Sequence, residues 1–338
     1  MEASEIINHL NRDDSLDEFR IGGFLSRGNI GLSEVYETWD SRNVIKLFNL
    51  YNDSKYYEDV LRSFKNEPKL LKQMLHSEYI VNASTDFRQD VQYNSEQKIA
   101  PYFAMEKMDG TISDLSPNLS IIEKLDVIQQ IISGVIDLQD ENICHNDLHL
   151  DNILFRRIGS KVICKISDFG SATSPYSENT LSDSWPRGKV YHSSPESIAG
   201  LLVESNADKD IIKASDIFCL GLTIYEILTS YKQYELQSRL TELYYNWRRS
   251  TEDKNLPLSA RYDQLNTRII PSIYKELVKD IGYIAYDKDE LIVSEINQML
   301  NGMLEVDYRQ RLTDLHKIRS HFADIKIILS LRLMNRQH

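Results

Sequence analysis

Up to about residue 110 the apolar positions come mainly in short runs, and beyond Ser120 they fall mainly at helical spacing. Val35-Tyr36 and Val44-Ile45-Lys46-Leu47-Phe48 read as strands, with Asp40-Ser41-Arg42-Asn43 as the turn between them. Residues 55–75 carry Val60, Leu61, Phe64, Leu70, Leu71 and Met74 on one helical face. Pro68 interrupts that face, so a helix either begins there or is kinked. Tyr102-Phe103-Ala104-Met105 reads as a further strand, and Asp109-Gly110 marks a break. Ser120 and Glu123 then form a capping box ahead of a long helix with Leu125, Ile128, Ile131, Ile132, Val135 and Leu138. Ile153-Leu154-Phe155 and Val162-Ile163-Cys164-Lys165-Ile166 suit two strands joined tightly at Gly159-Ser160.

Residues 171–194, rich in Ser, Thr, Asn and Pro, read as a long loop. Residues 215–230 read as a strongly apolar helix, residues 234–262 as a charged segment able to form an exposed helix, and the remainder as helical. The first 17 or so residues are polar and suit a short helix or tail. Strands first and helices after predict an α+β fold. The expected organisation is an extension over 1–19, a domain over 20–320 split into a small β-rich lobe (20–106) and a larger helical lobe (107–320), and a C-terminal helix or tail over 321–338.

Composition narrows the function classes. The chain has 338 residues and a formal net charge of -12, which argues against a general nucleic-acid binder or a polybasic membrane anchor. Cys144, Cys164 and Cys219 make an odd number with no Cys-x-x-Cys spacing, so neither a disulfide framework nor a zinc site is expected. The mixed, acidic N-terminus is not a signal peptide, and no run of about 18 apolar residues occurs. The expectation is a soluble, cytoplasmic protein without a membrane or nucleic-acid partner.

The candidate chemistry lies in His145-Asn146-Asp147-Leu148-His149-Leu150-Asp151-Asn152, between the long helix and the strand pair. Phosphoryl transfer to a hydroxyl needs a carboxylate that orients the nucleophile and accepts its proton, a role open to Asp147. It also needs oxygen ligands for magnesium, which Asn152 can supply. Ser167-Asp168-Phe169-Gly170 follows the second strand and offers a second metal-binding carboxylate, Asp168, beside a glycine. Either motif alone is weak, since an isolated Asp is ordinarily a cap or turn residue. Their order, with a hairpin between them, gives the pair its weight.

With these motifs the chain resembles the protein kinase family over roughly residues 20–320. Residues 145–152 resemble the catalytic loop, Asp168–Gly170 the metal-binding Asp-Phe-Gly, and Ser194-Pro195-Glu196 the family's Ala-Pro-Glu. Asp216 lies in the resembling buried helix, and Arg311 is placed to pair with Glu196. The resemblance implies a two-lobed enzyme using ATP and Mg2+ on a protein substrate, with Ser or Thr as the expected acceptor. It implies Asp147, Lys46, Asn152 and Asp168 as catalytic residues, with Asn152 and Asp168 on the metal. Lys46, in Val44-Ile45-Lys46, would hold the α- and β-phosphates and Glu67 would position it. Met105, Glu106 and Met108 would line the adenine hinge, with Met105 as gatekeeper, and Gly28, Val35 and Leu154 would complete the nucleotide site.

Several positions depart from the family pattern. The glycine-rich loop keeps Gly28 but carries Ile30 and Ser33 where glycines are usual. Asn146 replaces the Arg that pairs with an activation-loop phosphate, which implies activity without that phosphate. His149 stands where Ser/Thr kinases carry Lys, as in small-molecule kinases, and Lys189 is a candidate for the missing cation. Ser and Thr within 171–184 are candidates for autophosphorylation. A small-molecule kinase and an ATP-binding pseudokinase scaffold therefore remain as competing classes.

Overall fold

The computed structural model describes residues 10–27, 33–49, 57–174, 192–198, 209–230, 260 and 290–336. They fall into two compact units, one running to Asp109 and including Ser167–Gly170, the other formed by Gly110–Ile166 and the described residues from Ser171 onward. The first is rich in strands and the second mainly helical, as expected for an α+β protein of two lobes. The expected helix within 234–262 lies outside the described residues, apart from Ala260.

The first unit is a closed barrel of β1 (Ser15–Leu16), β2 (Phe19–Arg27), β3 (Ser33–Thr38), β4 (Asn43–Phe48), β6 (Glu96–Glu106) and β5 (Arg88–Tyr93), neighbours in that order. Leu16 closes it by pairing with Tyr93, while Ser15 pairs with Arg20. The helix or tail expected before residue 17 is thus replaced, in its described part, by a strand. Leu10 and Leu16 are apolar within a polar stretch, and both are buried with Ile21, Tyr36, Ile45 and Val91. Polar side chains fasten the closure: the Tyr102 hydroxyl donates to Asp17 at 2.6 Å, the Tyr93 hydroxyl to Asp14 at 2.6 Å, and Ser15 N–H to Asn94 Oδ1 at 2.8 Å. The β5–β6 turn is Asn94-Ser95, both at positive φ, a two-residue hairpin formed without glycine.

Helix α1 (Tyr57–Gln73) runs through Pro68 without a break. Proline costs it one rung of the backbone ladder. Tertiary packing offsets the loss: the Phe64 ring stands 5.2 Å from Phe48 and 5.3 Å from Phe103, contacts of about 0.5–1.5 kcal/mol each.

The second unit is built on α3 (Ile121–Asp140), which begins with the expected Ser120/Glu123 capping box. Ahead of it lie β7 (Gly110–Thr111) and α2 (Ile112–Leu115). Strand β7 pairs with β8 (Ile153–Ile158), and β8 with β9 (Lys161–Ile166). The β8–β9 loop is Gly159-Ser160, with Gly159 at φ 62° where a side chain would be strained. The buried helix α5 (Lys209–Thr229) follows α4 (Pro195–Ile198), and its C-terminal end receives the Lys124 ammonium, which donates to Ser230 Oγ at 2.6 Å. A cation there favours the helix dipole. Helix α6 (Glu290–Met303) packs so closely on α5 that a Cβ at Gly221 would stand 3.1 Å from Met303 Cβ. Helix α7 (Leu315–Arg336) lies along α3, with Arg319 donating to Ser133 Oγ, Lys326 ion-paired to Asp126, and Phe322, Ile325 and Leu329 buried. The terminal helix therefore packs on its own unit.

Ser194-Pro195-Glu196 starts α4 in the manner its sequence favours. Ser194 Oγ accepts the Ser197 N–H at 3.2 Å, and proline occupies the first helical position. Glu196 meets Arg311 as anticipated: Nη1 donates to Oε1 at 2.5 Å and Nη2 to Oε2 at 3.1 Å, with both side chains 0% exposed. Arg311 also donates to the carbonyls of Ala214 and Glu305. Breaking a fully buried pair leaves an uncompensated charge, so Arg311→Leu is expected to cost about 3–5 kcal/mol in urea unfolding. Adding Glu196→Leu to it should recover much of that loss.

Candidate active site

In the first unit, β4 presents Lys46 between Val35 on β3 and Phe103 on β6. Three strands thus hold the lysine backbone, and α1 brings Glu67 to its side chain. Lys46 Nζ donates to Glu67 Oε1 and Oε2 at 2.9 and 2.8 Å and to Asp168 Oδ1 at 2.9 Å. Burial opposes the lysine charge, but the Asp168 and Glu67 carboxylates outweigh it and hold its pKa above the ordinary value. Burial likewise pushes the Glu67 carboxyl up to about 7, against the pull of the Lys46 ammonium. Asp168 sits at φ 62°, a left-handed conformation uncommon for Asp, and Gly170 follows so closely that a Cβ there would meet Asp168 Oδ1 at 3.3 Å.

Met105 is buried on β6 opposite Val44, and Glu106 stands opposite Asn43. The Glu106 N–H donates to the Asn82 carbonyl and the Lys107 N–H to the Arg42 carbonyl. Met108, the residue after Lys107, is buried. Gly28, the neighbouring Ile30, Lys189 and residues 175–184 lie outside the described residues.

In the second unit, one face of α5 organises the catalytic loop. Asp216, Cys219, Thr223 and Glu226 recur at spacings that stack side chains along a helix. Asp216 accepts the His145 N–H at 2.6 Å and the Asn146 N–H at 2.9 Å. Thr223 Oγ1 donates to the Cys219 carbonyl at 2.8 Å with the Leu148 carbonyl at 3.3 Å, and Cys219 Sγ donates to the His192 carbonyl at 2.9 Å. Only Asp216 was singled out from sequence. The others were detectable as polar residues recurring at helical spacing in an otherwise apolar helix.

Within the loop, Asn152 Nδ2 donates to the Asp147 carbonyl at 2.9 Å and approaches Asp147 Oδ2 at 3.3 Å. Its amide nitrogen is directed to Asp147, so its oxygen is the metal-type donor. Asn146 adopts φ 61°, and its Nδ2 donates to the Ser171 carbonyl and to Thr173 Oγ1, each at 3.0 Å. Cys144 and Thr173 also exchange backbone hydrogen bonds at 2.9 and 2.8 Å. The residue that replaces the usual Arg thus ties the loop to Ser171 and Thr173 with neutral bonds. Leu154 lies on β8 opposite Thr111 and Lys165.

The structure therefore gathers Lys46, Glu67 and Asp168 in one unit and Asp147 and Asn152 in the other. Among the described residues no three His, Cys, Asp or Glu side chains form a metal cage. The Asp168 carboxylate and the Asn152 amide oxygen are each hard oxygen donors of the kind magnesium takes.

A lysine held by a helix glutamate, an Asp-Phe-Gly segment and a catalytic loop anchored on a buried aspartate define the protein kinase class. The family model described as protein kinase domain matches residues 22–323, and the chain belongs to this family. It is 28% identical over 212 residues to the serine/threonine-protein kinase PrkC of Bacillus subtilis, covering 60% of this chain and 29% of that protein. It is 30% identical over 152 residues to a light-sensor protein kinase of Ceratodon purpureus, covering 37% of this chain and 12% of that one. A MAP kinase-activated protein kinase of Caenorhabditis elegans is 30% identical over 130 residues, covering 36% and 23% respectively. The chain thus spans well under half the length of these curated relatives.

The burial of Glu67 gives a direct expectation. A carbon-13 NMR titration of its side-chain carboxyl in nucleotide-free protein should show a midpoint near 7, against about 4.3 for an unperturbed Glu. The Lys46–Glu67 ion pair would then be intact above that pH and lost as pH falls through it.

Proposed function

We propose that this chain is an ATP- and magnesium-dependent protein kinase acting on serine and threonine hydroxyls. The observation that carries the reading is the Lys46 ammonium held by both Glu67 and Asp168. This arrangement places one cation for phosphate oxygens beside one carboxylate for metal. Bound magnesium-ATP would supply the electrophilic phosphoryl group. Asp147 orients the acceptor hydroxyl and takes its proton on a carboxylate oxygen, while Asn152 keeps Asp147 in place. Glu106 and Met108 offer backbone groups for the adenine. The buried Arg311–Glu196 pair and the Asp216 anchor support a protein acceptor, because the resembling small-molecule kinases generally lack them.

The bonds from Asn146 to Ser171 and Thr173 support activity without a phosphate on the activation loop. They dock this part of the loop through neutral donors, where the family's Arg needs a phosphate partner. Any autophosphorylation within 171–184 would then be a product of activity, not its condition. The three cysteines are buried thiols, which supports a reducing, cytoplasmic setting.

Labelled ATP incubated with a generic protein acceptor tests the function. Wild-type protein should label the acceptor, and Asp147→Ala should lower the rate by about 100- to 10,000-fold. Nucleotide binding without transfer in the wild type would mark a scaffold, and transfer only to small alcohols would mark the other kinase class. Protein shown by mass spectrometry to be unphosphorylated should keep its rate; inactivity until the loop is rephosphorylated would refute the role given to Asn146.

A further inference from the structure

The polar face of α5 leads from the catalytic loop to a second buried group of titratable side chains. His149 caps the short turn Leu150–Asn152, and its Nδ1 accepts the Asp151 N–H at 3.2 Å. A nitrogen that accepts an N–H is unprotonated, so the ring proton of the neutral imidazole sits on Nε2. Nε2 stands 3.5 Å from Asp147 Oδ1, longer than the roughly 2.7–3.2 Å of a formed N–H···O bond, so a small shift of the loop would close it. Asn152 approaches the other oxygen of the same carboxylate. The His149 side chain is only 3% exposed. It is turned into its own unit, toward Asp147 on one side and the His192 ring on the other, 5.6 Å away and inclined at 55°. His192 Nε2 in turn stands 3.5 Å from Glu226 Oε1, and Cys219 holds the His192 carbonyl.

We propose that His149 is a positioning residue that holds the Asp147 carboxylate through its Nε2–H, with the His192–Glu226 pair supporting its ring from behind. The proposal rests on the kinase reading above. A carboxylate gripped on one oxygen can still rotate about its last torsion. With Asn152 on Oδ2 and His149 closing on Oδ1, it would be left one orientation. Small errors in the placement of a reacting group are costly, about 100-fold in rate for a displacement near 1 Å. The array also links the catalytic loop to the segment that begins at His192 and leads into Ser194-Pro195-Glu196, so displacement of that segment would be felt at Asp147.

The test compares His149→Leu, His149→Gln and His192→Leu in the full chain, with kcat and KM measured for ATP and for a protein acceptor. His149→Leu should lower kcat by about 100-fold with the KM for ATP unchanged. His149→Gln, whose amide nitrogen falls near the position of Nε2, should restore most of the rate, and His192→Leu should give a smaller loss in kcat. A raised KM for ATP with kcat preserved in His149→Leu would show a phosphate contact instead. Equal impairment of the Gln and Leu variants would show a packing role. Either outcome overturns the proposal. Nitrogen-15 NMR of the imidazoles gives a readout independent of turnover: His149 should be the Nε2–H tautomer, and Asp147→Asn should shift its Nε2 resonance. An Nδ1–H tautomer, or an Nε2 signal unmoved by Asp147→Asn, would also overturn it. Wild-type protein that transfers no phosphate would sink the proposed function, while the spectra would still decide the contact.

Discussion

Asp216 is a carboxylate with almost no access to water, and a buried charge of this kind is tolerated only where hydrogen bonds replace its hydration. It takes those bonds from the backbone of His145 and Asn146, the two residues ahead of Asp147. The requirement to satisfy one buried charge thereby fixes the backbone on which the proposed base is carried. Asn146 adopts its left-handed conformation at this anchor, and its amide then reaches Ser171 and Thr173. The same helix meets the rest of the loop: Thr223, two turns on, lies beside the Leu148 carbonyl, and Cys219 and Glu226 meet the segment that starts at His192.

A second balance of charge operates in the other unit. Lys46 serves two carboxylates at once, so above the Glu67 midpoint the group carries a net negative charge before any nucleotide arrives. Burial raises the cost of ionising Glu67, yet the same burial strengthens its attraction to the ammonium. The raised pKa expresses a compromise that keeps the lysine charged and oriented. Phe64, packed between Phe48 and Phe103, supplies the apolar contact that brings α1 and its glutamate to the sheet.

The chemistry was more legible in the sequence than the architecture. Asp147, Asn152, Asp168, Lys46 and Glu67 stand out by motif spacing alone, and the structure brings Lys46 together with Glu67 and Asp168, and Asn152 with Asp147. The barrel was harder to read. The β2 strand and the β5–β6 hairpin alternate weakly, and Asn94-Ser95 makes its turn without the glycine that usually signals one. Pro68 suggested a helix break because local propensity alone cannot register the aromatic packing that carries α1 past it. Most of the α5 face escaped notice for a related reason: Cys219, Thr223 and Glu226 look incidental until the helix axis aligns them with Asp216. The difference between His149 and the family's lysine was visible, but its direction was not, since only the fold shows the ring turned toward Asp147.

The match to the family begins at residue 22, after the strand Ser15–Leu16 that completes the barrel. A fragment cut to the family boundary would lose Leu10, Leu16 and Ile21 from the core and strip hydrogen-bonding partners from β5 and from the end of β3. Two unsatisfied sheet edges would then face solvent, the template on which separate chains add strands to one another. The short N-terminal strand therefore covers a sheet edge as well as filling the interior of the barrel.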